Sequence, residues 1–342
     1  MSKIRELLAD KNDEIDYKQI LIDNPWIAKR SQKCILSPDS DGLLCGLFMS
    51  HYLDWEIVGF YDGKVCVLME GVSAYDEDVC FLDIEIYREG IKSMGHHMLS
   101  VYNSAKPTDW DLKFKNCIQP NLLRGFDKNN FRLKYPLATI HLLIGILESE
   151  IDIKVEESAI FPLIFVDGTY NVMFSYPENV LKWWDYLKVK TTSKLLHHIF
   201  MGENYTPYKL MLEMNSFFEE RDEITDKAKK ERGDKLVISN KNSSHRNFKF
   251  DGSLYHFEVD TKEKCIKFLK LLEKHTKWRF KNDKRSFENF KLMQFTKSDF
   301  AGRKWNVTKG NYKKFLELNP LSWAMTSGLN VEFTLEEPDK LI

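Results

Sequence analysis

The six cysteines form no CxxC pair and no zinc-ribbon spacing, which excludes a cysteine-held zinc site. Cys34, Cys66 and Cys80 stand inside apolar runs, as reduced thiols used as small hydrophobes do. Long apolar stretches are also missing. Segment 142–147 is among the longest and falls far short of the ~18–20 residues of a membrane span. Residues 4–10 read as a polar helix start with no apolar signal-peptide core. Neither an internal repeat nor a low-complexity tract occurs. The expectation is a soluble, cytoplasmic chain with no membrane partner.

What is present is globular: 342 residues, 43% hydrophobic and 30% charged, enough for about two domains with real cores. The net charge of −1 hides a split. Residues 181–342 hold 32 Lys+Arg against 23 Asp+Glu, and residues 1–180 hold 18 against 28. An acidic half suited to cations and a basic half suited to phosphates fit polyanion chemistry.

A helical lead-in over residues 1–30 precedes apolar strands at 33–37, 57–61, 65–68 and 78–82, with a helix over 42–53. Continuous apolar strands alternating with helices predict an α/β parallel sheet, covered on both faces, within a domain at 31–190. A buried helix is expected over 135–149, and the run 159–166, interrupted by Pro162, reads as a further strand. A helical connector at 191–240 leads to a basic α+β domain at 241–342.

The most informative stretch is Ile35-Leu36-Ser37-Pro38-Asp39-Ser40-Asp41-Gly42. An apolar strand runs into two aspartates one residue apart, then a glycine and a helix. Ligands of open α/β sheets bind at such carboxyl ends, and paired carboxylates there can hold a hard divalent ion. Asp83 ends the strand 79–82 in the same way, and His96-His97 follow thirteen residues later. Imidazoles add metal ligands or phosphate donors.

The ordered set Asp39-Ser40-Asp41-Gly42, Asp83 and His96-His97 resembles motifs I to III of the DHH phosphoesterase superfamily, nearest its RecJ-like branch. Asp167 in Val166-Asp167-Gly168-Thr169 matches the fourth motif. The resemblance covers roughly residues 30–185 on four short motifs. It implies two Mn2+ or Mg2+ ions on Asp39, Asp41, Asp83, His96 and Asp167, with Asp83 and His97 in catalytic roles. The chain departs from the pattern at Gly95, where the family has the first aspartate of DHH. The interval from Asp83 to His96 is short for a full strand–helix–strand unit, and no GGGH-like motif stands near the C-terminus.

Nucleic-acid contacts are expected from Arg124 and Lys134 and from a basic, aromatic C-terminal set: Trp278, Arg279, Lys281, Arg303, Lys304 and Trp305. The first reading is a metal-dependent nuclease on single-stranded DNA or RNA. Its rivals are a catalytically degenerate nucleic-acid-binding scaffold and a small-nucleotide phosphodiesterase or pyrophosphatase.

Overall fold

The computed structural model describes residues 13–99, 102–127, 130–202, 206–224, 236–280, 287–295, 305–306, 308, 310–327 and 330–335. Twelve strands lie in these segments: β1 Lys33–Leu36, β2 Glu56–Tyr61, β3 Val65–Met69, β4 Val79–Leu82, β5 Lys92–Met94, β6 Cys117–Ile118, β7 Phe248–Phe250, β8 Tyr255–Phe257, β9 Phe290–Gln294, β10 Trp305–Asn306, β11 Ser322–Ser327 and β12 Asn330–Thr334. The helices longer than one turn are α1 Tyr17–Asp23, α2 Ser40–Leu53, α3 Thr139–Leu147, α4 Ile160–Phe165, α5 Thr169–Ser175, α6 Pro177–Tyr186, α7 Lys194–Met201, α8 Pro207–Ile224, α9 Val259–Thr276 and α10 Tyr312–Glu317.

Among the described residues the strands form a nine-stranded sheet, β6-β5-β4-β1-β2-β3-β9-β8-β7, and a three-stranded one, β10-β12-β11. Strands β6, β5, β4, β1 and β2 run parallel, and β3, β9, β8 and β7 continue the sheet antiparallel. After β1 the chain goes to β2 on one side and then returns to β4 on the other. That reversal makes the carboxyl ends of β1 and β4 a topological switch point, where two loops diverge and leave a crevice.

Side chains alternate across the sheet as a two-residue period requires. Cys34, Leu36, Cys80 and Leu82 face the helical layer that contains α2, α3, α4 and α9, whereas Ile35, Val79 and Phe81 face the opposite way. That second face is closed by Ile86, Phe295 and Leu321. Both faces are therefore dry, which is why these strands carry unbroken apolar runs. Five of the six cysteines are buried.

One expectation is corrected. The run 159–166 is helical: α4 continues a 3-10 turn at Glu157–Ala159. Pro162 stands in the first turn, where no intrahelical acceptor awaits its missing N–H. An apolar run of eight residues has no period that separates strand from buried helix. Beyond 241, β7, β8 and β9 extend the first sheet, and Phe257, Phe268 and Phe290 share one core with Phe48 and Leu143, while β10, β12 and β11 form the small sheet.

The chain's last described segment is tied to the sheet's carboxyl end by buried polar contacts. The Arg88 guanidinium donates to the carbonyls of Pro320 and Asn319, each at 2.9 Å. The Tyr61 hydroxyl donates to Thr334 Oγ1 at 3.2 Å and lies 3.1 Å from Ser322 Oγ. These contacts seat the β11–β12 hairpin over the switch point. No helix among the described residues is long and apolar enough to cross a membrane.

Candidate metal centre

Loop chemistry at the end of β1 sets the first side of the site. Asp39 caps α2, its Oδ1 accepting from Gly42 N at 3.2 Å. Gly42 is required by space: a Cβ there would stand 2.2 Å from the Ser37 carbonyl oxygen, a backbone atom that has no room to yield. Gly42→Ala is expected to lower stability by about 3 kcal/mol, the upper range for overpacking, and urea denaturation measures it.

Asp41 follows a different course from the one expected of it. It is fully buried, and its carboxylate caps α3, accepting from Thr139 N at 2.7 Å and Ile140 N at 3.2 Å. Like Asp39, it is not among the four residues whose ligand atoms converge. Burial, then the nearby Asp167 charge, pushes its carboxyl up to about 7.

Asp83 ends β4 with φ 59, a left-handed conformation that aspartate tolerates better than most residues. Its Oδ1 accepts from the Thr139 hydroxyl at 2.7 Å, while its Oδ2 is buried with no hydrogen-bond partner. Burial raises its pKa well above the ordinary carboxyl value, and the Asp41 charge adds to this. The Thr139 hydroxyl also lies 2.8 Å from His96 Nδ1, so it donates to Asp83 and accepts from His96. His96 Nε2 is then directed at Asp167 Oδ2, 3.0 Å away.

Asp167 stands where α4 gives way to α5 through two left-handed residues, Asp167 (φ 51) and Gly168 (φ 63). Burial would raise its pKa, but the His96 hydrogen bond and charge outweigh that and hold it down at about 2. The His96 and His97 rings stack 4.4 Å apart. His97 Nδ1 lies 3.5 Å from Glu85 Oε2. Burial opposes charge on His97, yet the Glu85 carboxylate overcomes it and raises the pKa to about 9.

Ligand atoms of Asp83, His96, His97 and Asp167 all lie within 4.8 Å of one another, so this group can hold a metal ion. The fit does not rest on proximity alone. Asp83 Oδ2 is a buried carboxylate oxygen with no donor, a costly state unless a cation completes it. A divalent ion is smaller than water and can reach an oxygen that water does not touch.

Two recesses meet at this group. One, of about 190 Å³, brings Asp39, Asp83, Glu85 and His97 against Trp323 and Phe333 of the C-terminal hairpin. The other, of about 200 Å³, contains His96 and Asp167 with Phe131, Lys134, Tyr176 and Asn179.

Sequence reading missed Thr139 and Glu85. Thr139 carries a weak signal, being the first residue of an apolar helix three positions after Pro136. Glu85 lies two residues beyond Asp83, and its partner is set by a glycine ten residues later. A Cβ on Gly95 would stand 2.7 Å from Glu85 Oε2, so the absence of a side chain there gives the Glu85 carboxylate its place beside His97.

The expected nucleic-acid contacts fare differently. Arg124 is buried, pairs with Asp13 through two nitrogens at 3.2 and 3.3 Å, and lies against the rings of Trp183 and Tyr186. It is an internal clamp on the N-terminal segment and does not present its charge to a phosphate backbone. Arg124→Ala is expected to cost about 3 kcal/mol, because Asp13 loses its counter-ion and two rings lose their cation; thermal and urea unfolding measure it. Trp278 is core, edge-on to Phe48 at 5.1 Å with its Nε1 donating to the Lys154 carbonyl. Arg279 is exposed and Lys134 half-buried. Lys281, Arg303, Lys304 and the Trp305 side chain lie outside the described residues.

Compared with family models, curated proteins and solved structures, the chain matches none.

Proposed function

We propose that the chain is a divalent-metal-dependent phosphoesterase centred on Asp83, His96, His97 and Asp167. The observation that carries this reading is the partnerless buried oxygen of Asp83 inside a four-residue ligand group at the sheet's switch point. Mixed imidazole and carboxylate donors suit Mn2+ better than Mg2+, which prefers oxygen alone. Asp83, His96 and Asp167 would hold the ion, and a second would lie toward Asp39 and Asp83 in the acidic recess. Bound there, divalent ions polarise a phosphoryl oxygen and make water a competent nucleophile near neutral pH. Thr139 fixes the Asp83 carboxylate and the His96 ring. His97, held by Glu85, faces the acidic recess and donates a hydrogen bond to a phosphoryl oxygen.

The substrate proposed first is a single strand of DNA or RNA, entered from one end. A second reading, a small nucleotide, is favoured by the inward placement of Arg124 and Trp278, which removes two of the expected strand contacts. Hydrolysis of an end-labelled strand and of a dinucleotide, each with Mn2+ or EDTA, separates the readings. Metal-dependent cleavage of either supports the phosphoesterase. Strand binding without cleavage would replace it with a nucleic-acid-binding scaffold.

The charges also give a pH dependence for the metal-free protein. Asp41 is raised from 3.8 to about 7, so its contribution is fully present below pH 3.8 and is lost as pH rises through 7. Asp83 shifts in the same direction. His97 is raised from 6.5 to about 9, so its contribution is lost as pH climbs through 9. Stability therefore falls through Asp41 between about pH 4 and 7 and through His97 between about pH 6.5 and 9, and Asp83 adds to the fall. Metal-free protein is expected to melt lower at pH 8.5 than at pH 5.5, with Mn2+ restoring more at the higher pH. Equal Mn2+ shifts at both values would contradict this.

A further inference from the structure

We infer that the recess on the His96–Asp167 side of the metal group is a nucleobase-binding subsite, an inference that rests on the phosphoesterase reading for the chemistry beside it. The recess has about 200 Å³ and shares His96 and Asp167 with the metal group, so a ligand seated there has its attached phosphate within reach of both residues. Phe131 and Tyr176 form its aromatic wall. Their rings meet edge to face at 5.7 Å, and the residues are 48% and 45% exposed, more than packing alone requires of such large side chains. Open ring faces beside a phosphoester site are what stacking on a base uses.

The polar lining narrows the ligand class. Asn179 is 2% exposed, and its Nδ2 donates to the carbonyls of Phe131 at 2.9 Å and Lys134 at 3.4 Å. Two carbonyl partners fix the orientation of the amide, because only its nitrogen can satisfy them. Asn179 Oδ1 is left as a buried acceptor with no partner. The two bonds hold the loop that carries Phe131 and Lys134 against α6 and so fix the lining of the recess. Lys134 lies at the same recess with its ammonium 5.9 Å from the Phe131 ring centroid, and burial lowers its pKa. A negative charge on the ligand would offset the cost of that burial. Exposed rings, a lysine and the adjoining metal group together describe a nucleotide or the terminal residue of a strand.

The test is calorimetric titration of the full chain with adenosine in EDTA, which leaves the metal group out of the readout. Adenosine is expected to bind and ribose is not. Phe131→Ala and Tyr176→Ala are each expected to weaken adenosine binding roughly five- to a hundredfold, the range for loss of one stacking ring. Both side chains are half exposed, so circular dichroism should show the fold unchanged. Absence of adenosine binding, or equal binding by both folded variants, overturns the subsite. A protein that binds adenosine here but hydrolyses no phosphoester keeps the subsite and loses the phosphoesterase.

Discussion

Replacement of Asp83 by asparagine is expected to abolish metal binding and to slow Mn2+-dependent phosphoester hydrolysis by roughly a thousandfold or more. Asparagine is the informative substitution because it tolerates the left-handed backbone at φ 59, whereas alanine adds strain of about 1–2 kcal/mol. The amide can still accept from the Thr139 hydroxyl, so the loop should keep its course. What it cannot do is balance a cation. Removing one of several buried carboxylates also relieves repulsion, since Asp41, Asp39 and Asp167 each raise the cost of charge on Asp83. The metal-free variant should therefore melt no lower than metal-free wild type, even as it loses activity. A variant that hydrolyses at the wild-type rate would place the chemistry elsewhere.

The second large effect concerns the carboxylate beside His97. Glu85 is 1% exposed, accepts from Met98 N at 2.9 Å through one oxygen and approaches His97 Nδ1 with the other. Loss of a carboxylate that orients an imidazole in a metal site commonly costs about 10–100-fold in affinity or activity. Glu85→Ala should fall in that range. Gly95→Asp alone should be as harmful, because its Cβ would press on the Glu85 carboxylate at 2.7 Å and add a second negative charge. Glu85→Gly combined with Gly95→Asp is expected to recover most of the loss, since one carboxylate again fits the single space. Additive defects in the double variant, read from kcat/KM and melting temperature, would show that Glu85 acts only in packing.

Much of the parallel half of the sheet was legible because its signals are local. A four-residue apolar strand followed by Pro, Asp and Gly announces the β1–α2 turn, and Asp83 at the end of β4 repeats it. Asp83 and His96 were legible from their place after apolar strands, whereas Asp167 was named only through the resemblance to a known family's fourth motif. Thr139 was not legible, because its hydroxyl meets Asp83 across 56 residues, and nothing about an isolated threonine reveals that pairing. The capping role of Asp41 was hidden for the same reason: its carboxylate accepts from the first N–H groups of a helix that begins 98 residues later. The pairing of β7 and β8 with the first sheet was not legible, because they have only three residues each, too few for a pattern to reveal which sheet they join. Trp278 and Arg124 show that aromatic and basic residues in sequence proximity do not distinguish a binding face from an internal clamp; only burial and partners do.

The most direct test of the metal centre is titration of metal-free protein with Mn2+, followed by electron paramagnetic resonance, on wild type beside Asp83→Asn. Saturable binding by wild type, with a raised melting temperature, and loss of both in the variant is the expected result. Failure of wild type to bind Mn2+, or identical binding by the variant, would mean that Asp83, His96, His97 and Asp167 do not form a metal centre.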